Sequence, residues 1–502
     1  MPSCGSCKTV SFTSFRFLCF FAAVLAAYFA LPRRARPWML LCASIGFYAA
    51  AGLPGLLWLG GLSLAGYCAA RGIARQQAAG KSGRLPLVLG VGLHLGLLFL
   101  LKYFNFFAGG LLGEAAPALS LAVPAGLSFF VFMAVGYLAD VYRGICPAEE
   151  NYGRYLAWLC FFPHILQGPI DRYADTAPAL FAGSVFDERR FLRGLWRILW
   201  GFLQKLVIAD RLGILVAGIW SEPESFAGWR VAAAVVCYAL QIYADFAGYT
   251  DIALGAAEIF GIRLAENFDT PYFSRSVPEF WRRWHMTLGA WFKDYLFFSL
   301  QRSRLFRQMG KKLKARFGKT AAKNLPAALA LAAVWLFTGL WHGARLTYVA
   351  WGVYYGVLII LSMLCEPLIA RLRPKKEGFL WTAFRTVRTF ALVCLGYVLF
   401  RSATLTEAGV ILSRIFTAPF AAGKGFSAAG IGREDVLILV PALLLRLAVS
   451  ICRVKGIDLR EKIMARPLPL RWAVALVLLF AVIIFGVYGP GYDAASFIYF
   501  EF

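Results

Sequence analysis

Four histidines occur in 502 residues, and one sits where an imidazole is costly. His342 follows Trp341 and precedes Gly343 and Ala344, at the end of an apolar run over 325–341. A helix over that run rises about 24 Å, so the ring is expected deep in a bilayer or towards its far side. An imidazole there needs a partner or a wet cavity. Histidine is also the side chain whose ordinary pKa suits a general base acting on a hydroxyl near neutral pH. From placement alone, a histidine bonded to a neighbouring helix fits as well as a catalytic one. Gly343 and Ala344 permit close backbone approach, which the wall of a passage would require.

Three further groups combine polar side chains with apolar surroundings. Val277-Pro278-Glu279-Phe280-Trp281-Arg282-Arg283-Trp284-His285 sets two arginines beside two tryptophans and a histidine, with Lys293 and Asp294 downstream. An interfacial belt of tryptophan and snorkelling arginine explains this spacing better than chemistry does. The functional alternative is a donor-side role for Arg282, Arg283, Trp284 and His285. Tyr243, Asp245 and Asp251 fall inside a long apolar stretch; membrane carboxylates are functional candidates, and structural bonds to tyrosine or arginine are equally plausible. Gln167-Gly168-Pro169-Ile170-Asp171-Arg172-Tyr173 reads as a tight polar break. Cys4 and Cys7 form a C-x-x-C with no second pair to complete a zinc site, and four histidines make a histidine-rich metal centre unexpected.

The elements that must carry these residues are membrane helices. Sixty percent of the chain is apolar or aromatic and 16% is charged, against about 25% charged in soluble domains. Apolar runs recur throughout, and a backbone buried in lipid must be helical. Ten to twelve spans are expected. The arginine-rich, aromatic 186–211 stretch suits an interfacial helix, and the run ending in Pro163 and Pro169 suits a re-entrant segment. The first apolar run lacks a small-residue cleavage site and reads as a retained helix. The formal charge of +25 comes from basic residues in short segments between runs, so it points to cytoplasmic loops rather than nucleic acid. Residues 302–323 carry nine Lys/Arg and no acid. Following the alternation places both termini outside. No repeat or long linker divides the chain, so 1–502 reads as a single membrane domain.

Phe280-Trp281-Arg282-Arg283-Trp284-His285 with Leu340-Trp341-His342-Gly343-Ala344 resembles the paired signature of the membrane-bound O-acyltransferases. Lys102-Tyr103-Phe104-Asn105-Phe106, Gly126-Leu127-Ser128-Phe129-Phe130, Lys205-Leu206-Val207-Ile208-Ala209-Asp210-Arg211 and Ala265-Glu266-Asn267-Phe268 match in the same order. The resemblance covers about 95–365, the expected acyltransferase core. It implies an all-α bundle with a central tunnel, in which an acyl group arrives from a cytoplasmic donor and leaves on an acceptor hydroxyl. It implies His342 as the catalytic residue and His285 as a second functional residue. Trp341, Arg282, Arg283, Trp284, Asp245, Tyr243, Asp251 and Asn267 become substrate or tunnel candidates.

Two branches of the family compete. The stretch 288–295 and the long segment after His342 resemble the alginate O-acetyltransferase branch, which works with secreted or membrane-anchored, esterase-like partners on surface polysaccharide. Gly168-Pro169-Ile170-Asp171-Arg172-Tyr173 is shared with the branch that moves D-alanine from a carrier protein towards teichoic acid. The resemblance implies a bacterial plasma membrane and no tightly bound cofactor or metal. Acetyl-CoA or an acyl-carrier thioester serves as co-substrate. The ending Phe497-Ile498-Tyr499-Phe500-Glu501-Phe502 resembles an aromatic tail associated with acyl-relay tyrosines; a tail plugging an apolar groove is the simpler reading of Tyr499. A transporter or flippase is the non-enzymatic alternative, although no corresponding pair of broken helices is visible.

Overall fold

The computed structural model describes residues 11–112, 119, 121, 123–372, 374, 378–419 and 423–488. Among them there is no strand; the regular structure is helical. Among the described residues, eight helices are long and apolar enough to cross a membrane: Leu53–Ala78, Arg84–Lys102, Gly228–Ile259, Arg304–His342, Leu346–Leu364, Phe379–Arg401, Arg433–Val454 and Leu468–Phe485. Phe15–Ala30 and Leu127–Tyr142 are shorter apolar helices. The chain is a multi-pass membrane protein. Fewer helices pass this length test than the ten to twelve spans expected, because the helices Phe15–Ala30, Arg36–Ala49 and Leu127–Tyr142 are only 16, 14 and 16 residues long.

The helices divide into two compact units, Met1–Val207 with Ala244–Glu266 and Leu459–Phe502, and Ile208–Tyr243 with Asn267–Asp458. The helix Gly228–Ile259 gives its first half to the second unit and its second half to the first.

In the first unit, Glu188–Phe202 is strongly amphipathic and starts at Asp187, whose side chain accepts from the Arg190 backbone N–H. Glycines bring it into backbone contact with the second half of Gly228–Ile259. A Cβ on Gly201 would stand 2.6 Å from the Gly248 carbonyl oxygen, and one on Gly194 would stand 2.7 Å from that of Gly255. Small residues at membrane helix crossings allow this approach. The interfacial reading of 186–211 needs correction beyond residue 202. Leu203–Ala209 is π-helical and carries Lys205 into the protein interior rather than to the headgroups.

The break expected near Pro163 and Pro169 is present. Tyr152–Leu159 ends at Cys160, a four-residue turn Phe162–Ile165 follows, and irregular backbone runs to the helix Tyr173–Ala182.

In the second unit, Arg304–His342 contains Gly318 in a left-handed conformation (φ 80°), where two helices meet at a kink. The part beyond the kink, roughly 24 residues, rises about 36 Å, enough to span the hydrocarbon core. It packs against Leu346–Leu364 through another glycine pair. A Cβ on Gly339 would lie 2.5 Å from the Tyr348 carbonyl, and one on Gly352 would lie 2.4 Å from that of Trp335.

Candidate active site

His342 is the last residue of its helix, and the chain turns over Gly343 to Arg345 into Leu346–Leu364. A side chain at 343 could not be accommodated, since a Cβ there would lie 2.6 Å from the Tyr348 ring. The turn therefore fixes the imidazole against the helix that follows. The ring is buried, 4% exposed. Trp351 and Phe400 meet it edge-on at 4.9 and 5.0 Å between centroids, and Trp341 does so at 4.8 Å. This is an aromatic cage whose rings fix the position of the imidazole.

His285 enters the same unit by a different device. It lies between the short helices Val277–Arg283 and Met286–Trp291, with φ 43° and ψ 55°, a conformation uncommon outside glycine. Two backbone hydrogen bonds hold this break beside 267–270: Met286 N–H to the Asn267 carbonyl at 2.9 Å, and Asp269 N–H to the Arg283 carbonyl at 3.0 Å. Strain of this kind persists where the surroundings over-determine the backbone.

Asn267 is fully buried and its side-chain oxygen receives three donors. The Thr287 backbone N–H approaches at 3.3 Å, the Thr287 hydroxyl at 2.7 Å and His285 Nδ1 at 3.2 Å. A backbone N–H can only donate, so the shared amide atom is the oxygen, and His285 Nδ1 must carry a proton. The neutral ring then has its lone pair on Nε2. The Asn267 amide nitrogen has no hydrogen-bond partner among the described residues. The His285 ring lies 6.0 Å from the Trp341 ring, which contacts His342. Trp341 thus stands between the two histidines.

The rest of the 277–285 group divides. Trp281 packs on Trp335, Trp351 and Tyr355 at 4.9, 5.4 and 4.8 Å, joining the wall behind His342. Trp284 stacks among Phe268, Phe280, Tyr243 and Tyr397. Arg282 is exposed, and Arg283 pairs with Glu279 at 2.9 Å. Arg283 and Glu279 also line a cavity of about 570 Å³ with Arg275, Thr382 and Arg385. Neither His285 nor His342 lines this cavity.

Tyr243 lies in this second unit, with the Arg446 guanidinium 4.1 Å above its ring. Arg446 is a buried arginine within the apolar helix Arg433–Val454, and the sequence reading passed over it. The available signal was one cation inside a run of leucine and valine, which marks a functional candidate in a membrane segment.

Asp245 and Asp251 belong to the first unit, where both are ion-paired. Lys205 Nζ lies 2.8 Å from Asp245, and Asp251 accepts from Arg197 at 2.9 Å and Gln204 at 2.8 Å. Arg197 also takes Glu266 in a two-pronged bond at 2.8 and 2.6 Å. Asp251 thus makes the bond to arginine that the sequence left open beside a functional role, whereas the partner of Asp245 is a lysine.

Two of the four histidines have evident structural employment. His94 faces the carbonyls of Gly90 and Leu62 at 2.7 and 3.1 Å. His164 binds the Trp158 carbonyl at 2.8 Å and lies 3.5 Å from Asp171. No group of three or more His, Cys, Asp or Glu able to hold a metal occurs among the described residues. Tyr499 lies outside the described residues.

The signature of the MBOAT, membrane-bound O-acyltransferase family, matches residues 151–404, which include both motif histidines. The chain belongs to this family. Membership makes it an acyltransferase and sets aside the transporter reading. A "Probable alginate O-acetylase AlgI" of Pseudomonas putida is 32% identical over 418 residues, covering 81% of this chain and 80% of that protein. The "Peptidoglycan O-acetyltransferase" of Helicobacter pylori is 27% identical over 421 residues, 78% of this chain and 75% of the relative. The "Teichoic acid D-alanyltransferase" of Bacillus subtilis is 30% identical over 279 residues, 55% of this chain and 68% of its own length.

Proposed function

We propose that this acyltransferase moves an acetyl group from a cytoplasmic thioester to a hydroxyl of a cell-surface polysaccharide, with His342 as general base. The observation that carries this reading is the meeting of two distant motif histidines in one unit, with Trp341 between them. Broad similarity to an alginate O-acetylase and a peptidoglycan O-acetyltransferase supports the acetyl group and the polymer acceptor. The D-alanyl alternative draws on a relative whose similarity spans about half of this chain.

In the proposed reaction the acceptor hydroxyl gives its proton to the His342 imidazole as its oxygen bonds to the acyl carbon. The carbon–sulfur bond breaks, and the proton passes on to the departing thiolate. Acetyl-CoA or an acyl-carrier thioester is the donor. The basic cavity lined by Arg275, Arg283 and Arg385 suits its phosphorylated part. His285, held as the Nδ1–H tautomer by Asn267, offers Nε2 towards the donor side. Because His342 is caged by aromatic rings, substrate must displace Trp341, Trp351 or Phe400 to reach it. We place the enzyme in a bacterial plasma membrane with both termini outside. A secreted or membrane-anchored, esterase-like partner completes delivery to the polymer, and Tyr499 is a candidate relay in that handover.

The test is label transfer from radiolabelled acetyl-CoA in proteoliposomes containing the enzyme and an acceptor oligosaccharide. His342→Ala and His342→Gln should lose at least about a hundredfold in rate while eluting as folded protein. Full transfer by either variant defeats the assignment of His342. Transfer from a D-alanyl carrier but not from acetyl-CoA favours the second reading.

A further inference from the structure

A cavity of about 710 Å³ in the first unit lies beside the amphipathic helix Glu188–Phe202. Arg189, Arg190, Arg193, Arg197, Arg263 and Arg460 line it. Four of these are engaged by carboxylates. Arg189 and Arg193 meet Glu461, Arg193 and Arg460 meet Glu258 at 3.0 and 3.4 Å, and Arg197 meets Asp251 and Glu266. This network ties the helix to 251–266 and to the segment at 460, and it fixes the cavity walls.

Arg190 and Arg263 are different. Arg190 donates to the Val185 carbonyl, and its Nε is buried with no hydrogen-bond partner among the described residues. Neither its guanidinium nor that of Arg263 has a carboxylate partner among those residues, and Arg263 is exposed. Both line the cavity, and the Arg190 guanidinium lies beside the turn that leads to Arg263: a Cβ on Gly261 would stand 3.3 Å from its centre. Leu254, Ile262 and Leu264 supply an apolar wall.

We propose that this cavity binds a phosphate mono- or diester of net negative charge, held by Arg190 and Arg263. The planar guanidinium fork matches phosphate oxygens in pairs. The volume is that of a small-ligand site. Basic pockets beside membrane helices receive anionic lipid headgroups, and the cavity adjoins an amphipathic helix whose apolar face suits the membrane interface. The phosphate comes either from an anionic phospholipid of the surrounding bilayer or from a soluble phosphorylated metabolite. His342 does not line this cavity, and the proposal does not rest on the acyl-transfer reading.

The test uses the full-length protein in neutral detergent, with thermal stability and native mass spectrometry as readouts. Short-chain phosphatidylglycerol, phosphatidylcholine with the same chains, and inorganic pyrophosphate are titrated separately. Saturable stabilisation by phosphatidylglycerol, absent with phosphatidylcholine, assigns a lipid headgroup. Saturation by pyrophosphate, with displacement of any bound phosphatidylglycerol, assigns the soluble source. In either case Arg190→Gln/Arg263→Gln should weaken apparent affinity at least tenfold, while Lys311→Gln/Lys314→Gln leaves it unchanged. Should the double variant fail to fold, Arg263→Lys keeps the charge, loses the fork, and should still weaken binding severalfold. Equal responses to both lipids with none to pyrophosphate overturn the proposal. So does affinity undiminished in the arginine variants.

Discussion

Lys205 and Asp245 form an ion pair whose strength can be reasoned from its surroundings. The side chains are 1% and 3% exposed and 2.8 Å apart, and Lys205 Nζ lies 5.7 Å from the centre of the Tyr249 ring. Two charges withdrawn from water this completely stabilise the protein little as a pair, because desolvation offsets their attraction. Removing one partner instead leaves a buried charge uncompensated, at roughly 3–5 kcal/mol. Asp245→Leu alone and Lys205→Met alone should each lower the midpoint of thermal unfolding. At about 2–4 °C per kcal/mol for units of 150–250 residues, the drop is roughly 6–20 °C. Lys205→Met/Asp245→Leu removes both charges and should recover to within a few degrees of wild type. The assay is fluorescence-detected unfolding in detergent, run beside acetyl transfer in proteoliposomes. Two results would refute the reasoning. If Asp245→Leu alone melts like wild type, the carboxylate is not neutralising a buried ammonium. If the double variant is stable yet inactive, the pair serves activity as well as the fold.

Gly352→Val pushes a side chain into the Trp335 carbonyl, where even a Cβ would stand at 2.4 Å. The helix ending in His342 must shift, and transfer should fall at least tenfold in protein that still elutes as a monodisperse peak. Asn267→Leu removes the acceptor shared by His285 and Thr287 and leaves buried donors unsatisfied, at about 1–3 kcal/mol. Asn267→Asp, which keeps an acceptor there, should retain more activity than Asn267→Leu when rates are compared at equal folded protein. Trp351→Ala opens the cage around His342 and should lower stability by roughly 3–5 kcal/mol, whereas Trp351→Phe should cost far less in a denaturation series. If Trp351→Ala raises transfer from a bulkier acyl donor, the cage also limits donor size.

The sequence carried the class of the molecule because composition leaves little choice. A chain this apolar must pair its backbone internally, and only helices do so segment by segment. The two motif histidines were legible as candidates, yet their meeting was not, since nothing in spacing says that Trp341 lies between the rings. Lys205 was misread for a physical reason: lysine near aromatics in an amphipathic stretch ordinarily snorkels. A π-helical turn over 203–209 instead points it inward. The Asp245 and Asp251 alternatives could not be separated, because the deciding partners, Lys205 and Arg197, lie some forty to fifty residues away in the chain. Arg446 belongs to no motif, although a cation in the apolar middle of a membrane helix is a signal in its own right.

Irregular backbone in this chain gathers where polar side chains must be aimed. The left-handed turn at His285 sets its ring on Asn267, and the turn over Gly343 sets His342 against Trp351. The π-helical turn over 203–209 carries Lys205 to Asp245. A regular helix in lipid satisfies its own backbone but presents each side chain in a fixed rotation about the axis. Aiming an imidazole or an ammonium at a chosen partner requires breaking that rotation, and each break exposes backbone groups that must find partners inside the protein. At His285 they do, through the bonds that Met286 and Asp269 make across to Asn267 and Arg283. Those two bonds make the break at His285 a rigid feature rather than a loose loop. Replacing Pro278 or Glu279, at the far end of the short helix, should therefore disturb His285 less than any change at Asn267.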